Sequence, residues 1–196
     1  MKIYCASTNA DKLREFQLAA TVAFEVEPLP GMRGLPRCPE TGASFHENAV
    51  QKALHYGSHS KLDGEGYLLA EDSGLSVDGL NGEPGIYSAR YAGKDATDAE
   101  NNQLLLERLG QRRPRTARFV SVITLLRSGI VHATVEGSVE GEILFAPRGS
   151  HGFGYDPIFF YPPLQRSFGE LTAEVKQSVS HRAQAMQHLS KLLANA

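Results

Sequence analysis

The chain of 196 residues has no tryptophan and only two cysteines, Cys5 and Cys38. One thiol lies in an apolar opening stretch and the other beside prolines. That spacing gives neither a disulfide framework nor a zinc site, and it points to a reducing, cytoplasmic setting. Long hydrophobic runs are missing as well. No apolar stretch approaches the ~18 residues a spanning helix needs, and Met1-Lys2-Ile3-Tyr4 lacks the basic-then-apolar order of a signal peptide. No membrane partner is expected. An excess of one charge is also absent. A formal net charge of -2 gives no long-range attraction to nucleic acid, so any anionic ligand must be held by a local group of cations. Arg108, Arg112, Arg113, Arg115 and Arg118 come nearest to a basic patch. A helix end running into a loop accounts for them, and no aromatic residue interleaves before Phe119, so no nucleic-acid partner is expected.

Hydrophobic residues make up 41% and charged residues 21%, which suits a packed globular chain rather than a disordered one. The length fits a single domain over residues 1–196, or one domain of two lobes. Ile3 to Ala6 reads as a short buried strand leading into a helix with Leu13, Phe16 and Ala20 on one face. Residues 24–28 read as a second strand, and the four prolines and three glycines from Pro28 to Gly42 as loop. Ser44-Phe45-His46-Glu47 has the form of a capping box opening a helix to about His59, and Thr97-Asp98-Ala99-Glu100 opens another through Leu109. Tyr67 to Ala70 reads as a buried strand ending at Glu71-Asp72-Ser73-Gly74. Residues 117–126 and 130–145 predict a hairpin about Ser128-Gly129, and a helix is expected from Ser180 with Met186, Leu189 and Leu193 on one face. Early alternation of strands and helices followed by an antiparallel pair predicts an α/β protein, a mixed β-sheet flanked by helices.

Five constellations carry candidate chemistry. Ser7-Thr8-Asn9-Ala10-Asp11-Lys12 is a polar turn running into a helix, either a phosphate cradle with Lys12 adding charge or an ordinary cap with a solvated lysine. The carboxylates Glu40, Glu47, Glu71 and Asp72 suit an oxygen-ligated Mg²⁺ and a positioned water, although Glu47 equally completes a cap and Asp72 equally forms a turn. Lys52 is a second candidate phosphate cation. In Gly149 to Pro157, Phe153 or Tyr155 can stack on a base or serve as structural aromatics. Lys176 with Ser180-His181-Arg182 offers donors at the start of the last helix. His55 and His59 are spaced like a metal pair, but Gly57 intervenes and no third ligand is evident.

Together and in this order, these segments resemble the inosine triphosphate pyrophosphatase family. The matching stretches are residues 7–12, Glu40 to Phe45, Glu47 to Ala53, Asp72 to Leu75, Pro84 to Tyr91, Phe153 to Pro157 and Ser180 to Arg182. The resemblance implies a two-lobed, elongated fold with the active site in the cleft between lobes, commonly as a homodimer. It implies hydrolysis of the inosine, deoxyinosine and xanthosine triphosphates to monophosphate and pyrophosphate, which cleanses the nucleotide pool. Carried over residue by residue, Ser7, Thr8, Asn9, Ala10, Asp11, Lys12 and Lys52 hold the triphosphate. Glu40 and Asp72 hold Mg²⁺, Asp72 is also the general base, and Ser73 contacts substrate. Phe153, Gly154, Tyr155, Asp156, Lys176, His181 and Arg182 surround base and sugar. Many members of that family carry two aspartates before the Ser-Gly; Glu71 stands at the first.

Overall fold

The computed structural model describes residues 1–20, 24–62 and 66–194. In chain order the regular elements are β1 (Lys2–Cys5), α1 (Ala10–Ala19), β2 (Glu25–Pro28), α2 (Phe45–His59), β3 (Tyr67–Val77), α3 (Asp98–Leu109), β4 (Thr116–Arg127), β5 (Ile130–Ile143), β6 (Phe159–Tyr161), β7 (Arg166–Ser167), α4 (Ala173–Val179) and α5 (His181–Ala194). The strands form one mixed sheet in the order β2-β1-β3-β4-β5-β6-β7. β1 pairs in parallel with both β2 and β3, while β6 runs antiparallel to β5 and to β7. The expected α/β class holds.

The chain divides into two compact units. The first comprises residues 1–72, 121–137 and 181–196, and the second residues 73–120 and 138–180. β3, β4 and β5 each supply residues to both.

In the first unit the sheet is covered on both faces, which is why Tyr67 to Ala70 is uniformly apolar. Side chains alternate across a strand. Tyr67 and Leu69 join Phe16, Ile123, Ala185, Met186 and Leu189 in one core, whereas Leu68 and Ala70 join Ala53, Tyr56 and Leu126 in another. α1 packs against α5 on the first of these sides. Phe16 is fully buried there as the α1 periodicity requires, and Ala20 closes the helix as its C-cap.

In the second unit Leu105 and Leu109 of α3 pack with Leu75, Val77, Phe119, Tyr155, Phe159 and Phe168. The hairpin turn has both central residues left-handed, Ser128 at φ 49° and Gly129 at φ 77°, the two-residue geometry that matches strand twist.

Three sequence expectations need correction. β3 does not end at Ala70: it continues through Glu71, Asp72, Ser73 and Gly74 to Val77, so both carboxylates lie mid-strand. Gly74 marks a close approach and not a turn. A Cβ there would lie 2.3 Å from Ser88 Oγ and 2.5 Å from the Gly85 carbonyl oxygen. Lys176 belongs to a separate short helix, α4, because Ser180 adopts an extended conformation (φ -72°, ψ 156°) before α5 begins. Finally, the Ser44 box is incomplete. Ser44 Oγ accepts from Glu47 N at 3.1 Å, but the Glu47 carboxylate takes the N–H of Ala43, not that of Ser44.

Gly74→Ala should destabilise the protein by ~3 kcal/mol, the upper end for overpacking. The intruding methyl meets a backbone carbonyl and a hydroxyl already bonded to Leu75 N and Gly85 O. A thermal midpoint equal to that of the unsubstituted protein would rule out this account of Gly74.

Candidate active site

The pleat of β3 decides the site. Continuing the alternation from Tyr67, Glu71 falls on the face of α1 and α5 and Asp72 on the face of α2. Neighbours in sequence, the two carboxylates serve different partners.

On the α2 face, Asn48 and Lys52 are four residues apart on one side of the helix. Asn48 Nδ2 donates to Asp72 Oδ2 at 3.1 Å, and Lys52 Nζ donates to Asp72 Oδ1 at 2.7 Å. Lys52 Nζ also lies 3.2 Å from Glu40 Oε1 and donates to the Glu71 carbonyl at 3.3 Å. Asn48 Oδ1 accepts from Gly42 N at 2.9 Å, which ties the loop carrying Glu40 to the same helix. Glu40 itself is held at φ 31°, a left-handed conformation uncommon for a residue with a side chain.

Burial pushes the Asp72 carboxyl above the ordinary aspartate range, and the Lys52 ammonium, then Lys12, offset only part of that rise. Burial pulls Lys52 the other way, but Asp72 first and Glu40 next outweigh it and raise its pKa. The result is a carboxylate more basic than an aspartate in water, fixed by a permanent cation.

On the opposite face, Lys12 Nζ donates to Glu71 Oε2 at 2.8 Å. Ser121 Oγ and Arg182 Nε donate to Glu71 Oε1 at 3.0 and 3.1 Å, and Arg182 Nη1 reaches Glu15 Oε2 at 2.8 Å. Lys12 stands in the first turn of α1, where Asn9 Oδ1 caps its N–H at 3.0 Å and Ser7 Oγ accepts from Asn9 N at 3.2 Å. The cap and the phosphate cradle are therefore compatible, since the cap satisfies one donor of a helix start that carries several. Ser7, Thr8, Asn9 and Ala10 border a cavity of about 520 Å³ that Leu29, Met32 and Arg33 also line. Asp11 is exposed in the same turn. His181 and Arg182 open α5 and are buried. Two of the Arg182 donors are engaged by carboxylates, so its guanidinium is fixed in orientation.

In the second unit, Asp156 Oδ2 accepts from Phe153 N at 2.9 Å and from Lys176 Nζ. The Lys176 ammonium also lies 4.9 Å from the centre of the Phe153 ring. Gly152, at φ 74°, allows this turn, because a Cβ would lie 2.0 Å from Asp156 Oδ2. The backbone of Gly154 is clamped by α3: its N–H donates to Asp98 Oδ2 at 2.6 Å and its carbonyl accepts from Asn102 Nδ2 at 2.9 Å. Tyr155 is a core residue, with its hydroxyl donating to the Ser88 carbonyl at 2.8 Å. Of the two aromatics considered for base stacking, only Phe153 is partly exposed. Ser73 is half-buried on β3.

His55 and His59 direct ring nitrogens at the carbonyls of Pro36 and His55. Among the described residues, no group of three or more His, Cys, Asp or Glu side chains is arranged to hold a metal ion. Glu40 and Asp72 nevertheless fit a hard divalent ion. Both direct a carboxylate oxygen at one cationic point, the Lys52 ammonium, and Mg²⁺ commonly takes one or two protein carboxylates and completes its shell with phosphate oxygens and water.

The sequence model of the Ham1 family matches residues 3–192. A protein of Exiguobacterium sibiricum named dITP/XTP pyrophosphatase is 44% identical over 199 residues, covering 98% of this chain and 97% of that one. This chain belongs to the Ham1 family. A HAM1 protein from Coxiella burnetii is 41% identical with a TM-score of 0.88, each chain covered over 100%. The Ham1 protein of Staphylococcus aureus is 37% identical with a TM-score of 0.86, covering 100% of this chain and 99% of that one. The family expected from the sequence motifs is thereby borne out.

Within this Ham1 chain, four partners escaped the sequence reasoning: Asn48, Ser121, Glu15 and Glu71 in its bridging role. Asn48 was findable, since it stands one helical turn before Lys52 in a segment already singled out. Ser121 and Glu15 carry no local signal; only strand pairing and helix packing bring them to Glu71.

The raised Asp72 pKa carries a stability consequence. A carboxyl with a folded pKa above its unfolded value of about 3.9 stabilises the fold most below that value, and the contribution is lost as pH rises through the folded pKa. Asp72→Asn removes this loss. The variant should melt above wild type near about pH 7, with the gap narrowing toward about pH 4. Paired thermal melts that show the gap widening on acidification would contradict the burial argument.

Proposed function

We propose that this chain hydrolyses inosine, deoxyinosine and xanthosine triphosphates to the nucleoside monophosphate and pyrophosphate, removing non-standard purines from the nucleotide pool. The observation that carries the proposal is the Asp72 carboxylate, buried, raised in pKa and fixed by Lys52 at 2.7 Å. It stands in a chain matched over nearly its whole length by proteins named dITP/XTP pyrophosphatase.

In this proposal the α1 turn, residues 7–11, presents N–H groups and the helix dipole to the triphosphate. Lys12 and Lys52 offset its charge. Mg²⁺, held by Glu40 and Asp72, would supply further charge neutralisation on the phosphates when bound. Asp72 takes a proton from water; the water oxygen bonds to the α-phosphorus in line, the bond from that phosphorus to the α–β bridging oxygen breaks, and pyrophosphate leaves with the electron pair. Asp72 then returns its proton to solvent. Attack at the α-phosphorus, and not the γ, gives pyrophosphate as product. A general base held above the usual aspartate range is better matched to neutral pH than a solvent-exposed one.

Base choice follows from donors and acceptors. Hypoxanthine and xanthine present an acceptor at O6 and a donor at N1, and adenine reverses both. His181 and the oriented Arg182, both buried at the start of α5, would donate to a 6-oxo purine. A buried polar group left unpaired costs ~1–3 kcal/mol, so ATP should be disfavoured by about tenfold or more for each mismatch. A cytoplasmic homodimer is part of the same proposal. The two unpaired, buried cysteines support a reducing compartment, and sedimentation in solution tests the dimer.

Pyrophosphate release from ITP with Mg²⁺ is the direct test. Turnover of ITP and XTP should exceed that of ATP, dTTP and UTP, and chelation of the metal should abolish it. Asp72→Asn should lower kcat by roughly a hundred- to ten-thousand-fold while KM changes little. The acid limb of the wild-type kcat/KM profile should lie above about 3.9, the ordinary aspartate value. Equal turnover of all five triphosphates, or an Asp72→Asn enzyme with near-normal kcat, would overturn the assignment.

A further inference from the structure

Two cations assigned above to opposite ends of the nucleotide share one buried carboxylate. Glu71 Oε2 binds Lys12 Nζ at 2.8 Å, and Oε1 binds Arg182 Nε at 3.1 Å and Ser121 Oγ at 3.0 Å. Their side-chain exposures differ sharply, at 3% for Glu71 and 4% for Arg182 against 21% for Lys12. Glu15, 14% exposed, binds the far side of Arg182 through Nη1 at 2.8 Å. Two carboxylates and two cations thus form a balanced cluster, locked at Arg182 and looser at Lys12.

We propose that Glu71 is a positioning residue with two separable tasks: it fixes Arg182 for base selection, and it is the resting partner of Lys12 that the incoming triphosphate displaces. The inference rests on the proposed function and deepens it. Three observations support it. First, the arms of the Glu71 carboxylate are divided, one oxygen to Lys12 and the other to Arg182 and Ser121. Secondly, the Lys12 side chain keeps 21% of its surface exposed, so its ammonium can leave Glu71 for a polyanion arriving from solvent. Thirdly, departure of Lys12 leaves Glu71 still bonded to Arg182 and Ser121. A buried carboxylate stripped of every partner would be strongly unfavourable; here it is not stripped. The substrate therefore competes with an existing ion pair for Lys12, while Arg182 stays in place.

Inhibition by inorganic pyrophosphate reads the Lys12 half, and the ITP-to-ATP ratio of kcat/KM reads the Arg182 half. In Glu71→Gln, Lys12 loses its resting partner, so pyrophosphate should inhibit about tenfold more strongly, a change of about 1.4 kcal/mol. The ITP preference should fall in the same variant. In Glu15→Gln, which touches Arg182 but not Lys12, the preference should fall while pyrophosphate inhibition stays unchanged. Should Glu71→Gln fail to fold, Glu71→Asp serves in its place. One methylene shorter, it should keep Arg182 and Ser121 and release Lys12, strengthening pyrophosphate inhibition with the base preference intact. A lowered melting temperature with both readouts unmoved would reduce Glu71 to a structural role and overturn the inference, as would a Glu15→Gln enzyme that shifts pyrophosphate inhibition. If the wild type releases no pyrophosphate from any triphosphate, the proposed function fails. Calorimetric titration of pyrophosphate into wild type and Glu71→Gln still decides the competition for Lys12.

Discussion

Glu71 and Asp72 are consecutive acidic residues in the middle of a strand covered on both faces, and the rest of the first unit is organised around making that tolerable. A carboxylate taken out of water without a partner costs several kcal/mol. The strand pleat separates the two charges onto opposite faces, so each is met by a lysine from a different helix. Asp72 meets Lys52 of α2 at 2.7 Å, and Glu71 meets Lys12 of α1 at 2.8 Å. Each also receives uncharged donors, Asn48 Nδ2 for Asp72 and Ser121 Oγ for Glu71. Removing the lysine from such a pair leaves an uncompensated buried carboxylate and costs on the order of 3–5 kcal/mol.

The two faces differ in how the charge is used. Around Asp72, burial outweighs the lysine and leaves a carboxyl with a raised pKa. That is the condition of a base, and it is coupled to Glu40 through the common ammonium of Lys52. Around Glu71, Lys12, Arg182 and Ser121 all donate to the carboxylate, and the cluster behaves as a holder of cations. A basic carboxyl and a holder of cations therefore sit next to each other in sequence, and Lys12 and Glu71 still act on the Asp72 pKa in opposite directions. The pleat of β3, which sends Glu71 and Asp72 to opposite faces, is what divides the tasks.

The second unit solves a different problem, that of holding a loop in one conformation. Gly152 permits the turn, Asp156 gathers the Phe153 N–H and the Lys176 ammonium, and α3 clamps Gly154 from both sides with Asp98 and Asn102. Tyr155 anchors the loop to the core through Ser88, leaving Phe153 as the partly exposed ring. A loop with this many internal bonds is held in one conformation.

Much of this was legible in the residues themselves. Apolar periodicity marked α1 and α5, capping residues marked the starts of α2 and α3, and Ser128-Gly129 marked the hairpin, because these signals depend on neighbours within a few positions. The order of motifs from Ser7 to Arg182 marked the family for the same local reason. Strand pairing and helix packing decided the rest. Ser73-Gly74 looks like a turn in isolation; β3 runs through it because Gly74 is needed where the backbone of Gly85 and the Ser88 hydroxyl come close. Lys12 and Arg182 look like solvated or ligand-facing cations, and only the stacking of α1 and α5 over one face of β3 joins both to Glu71. Sequence fixes which side chains exist and which way a strand alternates, but the meeting of residues 12, 71, 121 and 182 is long-range, and no local spacing encodes it.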